Sequence, residues 1–368
     1  MILGDLFDKS IPCQETLVSA FKLFSFIKKQ PRKSFKIVRE KNGEKEEVFF
    51  SGLPVFAIHG NHEFRGKDFA NSLKVLEEAG SIIYLHASNV IIFGEKEKVA
   101  LHGLGSVPEQ KAREALNLWN PVPFSEMTNI VMLHQGFKEL INFEDEMIAS
   151  LSVEDLPNGF DLFANGHFHW NYELKDEKVH LVIPGSTVIT QMKKLESEKK
   201  KCFLLYDSVS KKLNVVEIPN QRIFVYRKIS FDKASSEEVF ESVKTELGEI
   251  FSQNFSKKPL IKLKLSGSLE QGLNQYDLDF LSIFDEFGEK AILYVDKSFS
   301  KTDFRKKLQD LRQSQVEKKS ISSIGLELLE KTLEETNIEN FDTRRIFELL
   351  SEGNSSKVIE ILSDYDFV

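Results

Sequence analysis

Leu53-Pro54-Val55-Phe56-Ala57-Ile58 runs directly into His59-Gly60-Asn61-His62-Glu63. The first six residues form an apolar, branched run of strand length. The next five hold an amide, two imidazoles and a carboxylate, groups that bind cations or move protons. The glycine lets the chain turn sharply as it leaves the strand. Three other stretches repeat the arrangement: Gly4-Asp5-Leu6-Phe7-Asp8 after Ile2-Leu3, His134-Gln135-Gly136 after Ile130 to Leu133, and Gly166-His167-Phe168-His169 after Leu162 to Ala164. In an open α/β sheet the carboxyl ends of the strands share one edge, where sites are built. That placement makes Asp5, Asn61, His62, His134, His167 and His169 the candidate site.

Working outward, further strand runs occur at Ser81 to Leu85, Val90 to Phe93, Val99 to Leu104 and His180 to Ile183. Helical spacing joins Leu17, Phe21, Phe24 and Ile27, and again Leu73, Leu76 and Ala79 before Gly80, a helix stop. Residues 1–221 therefore read as a layered α/β domain. A second unit, 222–297, has a strand from Arg222 to Phe231 and a helix opened by Ser235-Ser236-Glu237-Glu238 and running to about Phe251. Its second strand, Leu260 to Leu265, is closed by Ser266-Gly267, and a helix and the strand Ala291 to Val295 complete a small α+β domain. Residues 298–320 are charged and poor in core residues, a linker or a solvated helix. Residues 321–368 carry short amphipathic helices around Ile324, Leu328 and Leu329, around Ile346, Phe347, Leu349 and Leu350, and around Val358, Ile359 and Leu362, with Asp342 and Ser355 as caps. Such a tail is too small to bury its own apolar faces and either packs on the body or docks onto a partner.

Composition narrows the classes. The chain has 368 residues, 41% hydrophobic, enough for more than one core. Lys and Arg number 49 against 57 Asp and Glu, a charge of −8, so nucleic acid could be met only at local patches or at a metal site. Two cysteines exclude a disulfide scaffold and a cysteine zinc module. No apolar run has membrane-spanning length and no signal peptide is legible, so a soluble cytoplasmic protein is the expectation. Two basic clusters, Lys28, Lys29, Arg32, Lys33 and Lys36, and Lys193, Lys194, Lys199, Lys200 and Lys201, read as solvated surface or as phosphate contacts.

Each motif alone has a plain structural reading. Gly-Asp after a strand is usually a turn, a single histidine at a strand end is usually hydrogen-bonded, and Asn61 could cap a helix. His167 and His169 carry more weight, since alternate residues of an extended segment point the same way. Four such motifs at four strand ends are not a coincidence of turns. His59, His86, His102 and His180 fall outside the motifs and read as structural.

The series GDLFD, GNHE, H and GHFH resembles the calcineurin-like metallophosphoesterases, and within them the SbcD/Mre-type nuclease subunit of the double-strand-break repair complex. The runs PVFAIHGNHE, LHQG, DLPNGFDLFANGHFHW and Val182-Ile183-Pro184-Gly185-Ser186 carry the closer resemblance. It implies a layered metallophosphoesterase sandwich with a small capping domain and a helical tail, and two divalent metal ions, usually manganese. Asp5 would bridge the ions, Asn61, His134 and His167 would complete one, and His169 would bind the other. His62 would stabilise the phosphorus or protonate the leaving oxygen, with Glu63 orienting it and Asp8 lying behind the ligands. The implied function is a DNA exo/endonuclease, acting on DNA ends as a homodimer with a coiled-coil SbcC/Rad-type ATPase docked on the tail. By the same resemblance, dimer contacts fall on the helices bearing Phe21/Phe24 and Leu73/Leu76.

One departure stands out. The family's first motif, D-x-H, and its strand are absent, leaving one ion with Asp5 and His169 alone and the sandwich incomplete at its N-terminus. As numbered, the chain is therefore expected to bind manganese weakly at one site and to be impaired as a nuclease; a start assigned too late, favoured here, and a real truncated product both account for this. A non-catalytic scaffold subunit and a phosphoesterase acting on non-DNA substrates are the competing functions.

Overall fold

The computed structural model describes residues 1–31, 35–41, 44–66, 69–95, 97–141, 151–299, 326 and 343–351. The expected linker beyond Phe299, and all of the expected tail except 326 and 343–351, lie outside the described residues. The chain forms two compact units, Met1–Phe224 and Val225–Val368.

In chain order the first unit contains β1 (Ile2–Leu3), α1 (Gln14–Lys28), β2 (Lys36–Lys41), β3 (Glu44–Glu47), β4 (Phe56–Ile58), α2 (Ser72–Glu78), β5 (Ile83–Tyr84), β6 (Ser88–Phe93) and β7 (Lys98–Leu104). It continues with α3 (Ala112–Trp119), β8 (Thr128–Leu133), β9 (Leu162–Asn165), β10 (Tyr172–Lys175), β11 (His180–Ile183), α4 (Lys194–Glu198), β12 (Cys202–Asp207) and β13 (Lys212–Glu217). Two sheets carry the site. A parallel three-stranded sheet has the order β1-β4-β5, and an eight-stranded mixed sheet has the order β10-β11-β9-β8-β7-β6-β2-β3. The expectation of a single shared sheet edge is thus corrected: the four motifs leave two sheets whose carboxyl ends converge.

The layering follows from side-chain alternation. In β8, Ile130 and Met132 pack with Ile58, Leu85 and Leu101 between the sheets. Val131 and Leu133 of the same strand face the other way, onto Leu116, Phe137 and Phe163. A strand buried on both faces reads as an unbroken apolar run, which is why β8 is legible in the sequence. On the far side of the small sheet, Ala57 of β4 meets Ala20 and Phe24 of α1 and Leu73 and Leu76 of α2. Phe24, Leu73 and Leu76 are thus buried in the core of this unit, with Phe21 partly buried beside them.

The second unit contains β14 (Phe224–Ala234), α5 (Ser236–Phe251), β15 (Leu260–Leu269), α6 (Leu281–Phe287), β16 (Ile292–Phe299) and α7 (Thr343–Ser351). Its sheet has the order β14-β15-β16, with β15 and β16 parallel. The expected start of α5 is a reciprocal cap: Glu238 N–H donates to Ser235 Oγ at 3.2 Å and Ser235 N–H to Glu238 Oε2 at 2.9 Å. Val239, Val243 and Leu247 of α5 pack on Ile261, Leu263 and Leu265 of β15. Ser266-Gly267 does not end the strand. Gly267 sits at φ 109° against the Phe231 backbone, where a side chain would collide, so the glycine marks a close approach rather than a stop.

Candidate metal centre

Asp5 follows β1, Asn61 and His62 follow β4, His134 follows β8, and His167 and His169 follow β9. The loops must pass very near one another to bring these side chains together, and the motif glycines allow it. A Cβ on Gly60 would strike the Asp5 carboxylate, and one on Gly166 would strike the Leu3 carbonyl oxygen. Asp5 and His167 themselves take left-handed backbone, φ 51° and 71°, an uncommon conformation typical of functional loops.

At the centre stands His134, 1% exposed. Its Nδ1 lies 2.6 Å from the Leu3 carbonyl oxygen. A carbonyl only accepts, so Nδ1 carries the proton and Nε2 of the neutral ring presents a lone pair. That lone pair faces Asp5 Oδ2 at 3.2 Å and Asn61 Oδ1 at 3.0 Å. Asn61 Oδ1 also lies 3.1 Å from His167 Nδ1. Only a second proton on the ring or a cation reconciles a lone pair with two oxygens, and the donors are those a divalent ion takes. Carboxylate, amide oxygen and imidazoles therefore fit a metal ion. Among the described residues no three His, Cys, Asp or Glu side chains form such a group by themselves; the set closes through the Asn61 amide.

The charges agree with this chemistry. Burial pushes the Asp5 carboxyl up, but without a cation the imidazolium form of His134, by its hydrogen bond and charge, and the His62 N–H outweigh it and hold Asp5 below the usual carboxylate range. Burial, reinforced by His134, pushes His167 down to about 4, so its ring is neutral and able to ligate across the physiological range. His169, also lowered by burial, does not join the Asn61 group by hydrogen bonding; its Nδ1 is bonded to Thr190 Oγ1.

Glu63 does not orient His62. Wholly buried, its carboxylate accepts N–H groups from Asp5 at 2.9 Å, Phe7 at 2.8 Å and Gly60 at 2.7 Å. It ties the first two motif loops together. The partner of His62 is Asp8: His62 Nδ1 donates to the Asp8 carbonyl oxygen at 2.9 Å, and the exposed Asp8 carboxylate lies 3.6 Å away. The four histidines read as structural have protein partners. His59 bonds Ser106 and Tyr84, His86 bonds Gly105, His102 bonds Asn129 and His180 bonds Glu173.

In the second basic cluster Lys194, Lys199 and Lys200 are exposed, as solvated surface, and the reading is corrected at Lys201. Lys201 is buried and paired with Glu196 at 2.6 Å, Lys200 pairs with Glu217 at 2.8 Å, and Lys199 donates to the Asn171 carbonyl at 3.1 Å. In the first cluster Lys28 donates to the Ala79 carbonyl at 2.8 Å and Lys36 pairs with Glu47 at 2.7 Å. Arg32 and Lys33 lie outside the described residues. Thr190, Glu196 and Lys201 stand behind His169 and escaped sequence reasoning, since nothing in a lysine run marks one member as buried.

Two sandwiched sheets with carboxylate, amide and imidazole donors at their converging ends are consistent with a metallophosphoesterase fold, and residues 1–171 match the calcineurin-like phosphoesterase family. That match covers a little under half of the chain, and the further likeness is to the Mre11 type. The chain is 25% identical over 278 residues to the DNA double-strand break repair protein Mre11 of Sulfurisphaera tokodaii, covering 72% of this chain and 62% of that one. Against the Mre11 of Sulfolobus acidocaldarius it is 23% identical over 370 residues, covering 98% and 86%. Against that of Archaeoglobus fulgidus it is 21% identical over 355 residues, covering 89% and 74%. The chain thus spans about six tenths of the first of these relatives.

Proposed function

We propose that this chain is a metal-dependent nuclease that hydrolyses DNA phosphodiesters in double-strand break repair. The observation that carries it is the His134 lone pair facing Asp5 and Asn61 with its other nitrogen committed to Leu3. Asp5, Asn61, His134 and His167 would hold one divalent ion, and Asp5 with His169 would serve a second, manganese in both. When bound, such ions neutralise phosphate charge and acidify water.

The chain's own groups do the rest. Asp5, held below the usual carboxylate range, would anchor the centre, and Asn61 Oδ1 faces the His134 and His167 rings. His62 is half-exposed, with Nδ1–H committed to Asp8, which leaves Nε2 as the nitrogen that would meet substrate. As an imidazolium it can donate that proton to the oxygen leaving phosphorus when water attacks. With Asp5 and His169 as the two side chains assigned to the second ion, the Asn61 group should be the tighter site. The capping unit would select DNA ends, and residues 321–368 would dock a coiled-coil ATPase. A homodimer would use the exposed side of α1, where Val18, Leu23 and Phe26 are 50%, 70% and 68% accessible, rather than its buried Phe24 side.

The test is manganese-dependent cleavage of end-labelled duplex DNA by the purified chain. Cleavage by the native chain that Asn61→Ala abolishes supports the reading. No manganese binding by the native chain, measured by calorimetry, would sink it. Binding without cleavage of DNA or of a nitrophenyl phosphodiester would point to the scaffold reading, and cleavage of the small ester alone to a non-DNA phosphoesterase.

A further inference from the structure

Lys201 and Glu196 form an ion pair whose side chains are 4% and 0% exposed, with Nζ and Oε1 2.6 Å apart. Taking two charges out of water is costly, and an apolar pair of equal volume is commonly as stable. Such a pair is best explained by what it positions. Lys201 Nζ also donates to the His169 carbonyl oxygen at 2.7 Å and to Ser186 Oγ at 2.8 Å. The Glu196 carboxylate accepts the N–H of Gln191 at 2.9 Å and of Thr190 at 3.4 Å. Thr190 in turn has its hydroxyl on His169 Nδ1. His169 is therefore held twice by one buried pair, at its backbone through Lys201 and at its ring through Glu196 and Thr190.

We propose that Thr190, set by the buried Glu196–Lys201 pair, is the positioning residue that fixes His169 with Nδ1 turned inward and Nε2 presented to a metal ion. The inference rests on the metal-centre reading above. Ligating histidines commonly have their second nitrogen bonded to a fixed partner, and loss of that partner typically costs about 10–100-fold in metal affinity. Here the partner lies on a segment, residues 186–196, that follows β11 and contains no family motif residue at Thr190 itself.

The test reads His169 directly. The full chain is treated with diethyl pyrocarbonate across a manganese titration, and modification of each histidine is followed by mass spectrometry. In the native chain manganese should protect His167 and His169. Thr190→Val, close in shape but without the hydroxyl, should raise the manganese concentration protecting His169 by about 10–100-fold and leave that for His167 nearly unchanged. Thr190→Ser should restore the native midpoint. The double variant Glu196→Gln/Lys201→Met should behave as Thr190→Val does. Equal His169 midpoints in the native chain and Thr190→Val overturn the proposal while the centre stands. Absence of manganese protection at both histidines in the native chain overturns the centre itself.

Discussion

The carboxylate of Glu63 accepts the backbone N–H of Asp5 at 2.9 Å across 58 positions of sequence. A residue that a motif reading treats as a helper of the neighbouring histidine is the tie that sets the carboxylate on the other loop. It adds the Phe7 and Gly60 amides, so three donors that would otherwise be buried without partners are satisfied by one side chain.

Glu63→Gln keeps the volume but turns an N–H₂ toward an amide donor. It should lower the stability of the first unit by about 2 kcal/mol and weaken manganese binding about tenfold or more. Urea unfolding of the metal-free chain and calorimetry check the two effects; a variant equal to the native chain in both would remove Glu63 from the account.

Asn61 is exposed, so Asn61→Ala should leave metal-free stability unchanged within about 0.5 kcal/mol. Manganese affinity should nonetheless fall steeply, because the donor set closes through this amide. A large loss of stability in chelator would mean that Asn61 is structural.

His62→Asn should leave manganese affinity near native and lower cleavage by about 100-fold or more, the usual worth of a positioned proton donor. Single-turnover cleavage with saturating metal separates the two. Equal loss of binding and cleavage would make His62 a ligand instead.

Acid should destabilise the metal-free chain. His59 is buried, and burial with the nearby His86 lowers it to about 4 from an ordinary 6.5. The unfolded chain then binds the proton more readily than the folded one. Its contribution is intact above about pH 6.5 and is lost as pH falls toward 4, at most about 3 kcal/mol. Thermal melts in chelator at pH 7 and pH 5 should show the fall, and it should be smaller in His59→Asn relative to that variant's own pH 7 value.

On α1, Leu23→Glu/Phe26→Glu should dissociate the proposed dimer without unfolding the unit, since both side chains are exposed. Light scattering on the native and variant chains decides it; a native chain that is monomeric at micromolar concentration would dismiss the interface.

Several elements are legible in the residues because their physics is local. The both-sided burial of β8 appears as an unbroken apolar run, the cap of α5 as Ser235 with Glu238, and the motif loops as glycines beside polar donors. Long-range facts are not legible in this way. β2 and β3 read as charged surface, Lys-Ile-Val-Arg-Glu-Lys and Glu-Lys-Glu-Glu, yet pair on the edge of the larger sheet. Ser266-Gly267 reads as a stop because the close approach of Phe231 is invisible from either segment.

The sequence by itself determined the donor types, their order along the chain and their place after strands, since these depend on local chemistry and periodicity. Only the tertiary structure decided that two sheets rather than one deliver them, that Glu63 serves backbone amides, and that one lysine of a basic run is buried behind His169. Those outcomes depend on which distant groups approach within hydrogen-bonding range, and that is a property of packing, which no short stretch of residues encodes.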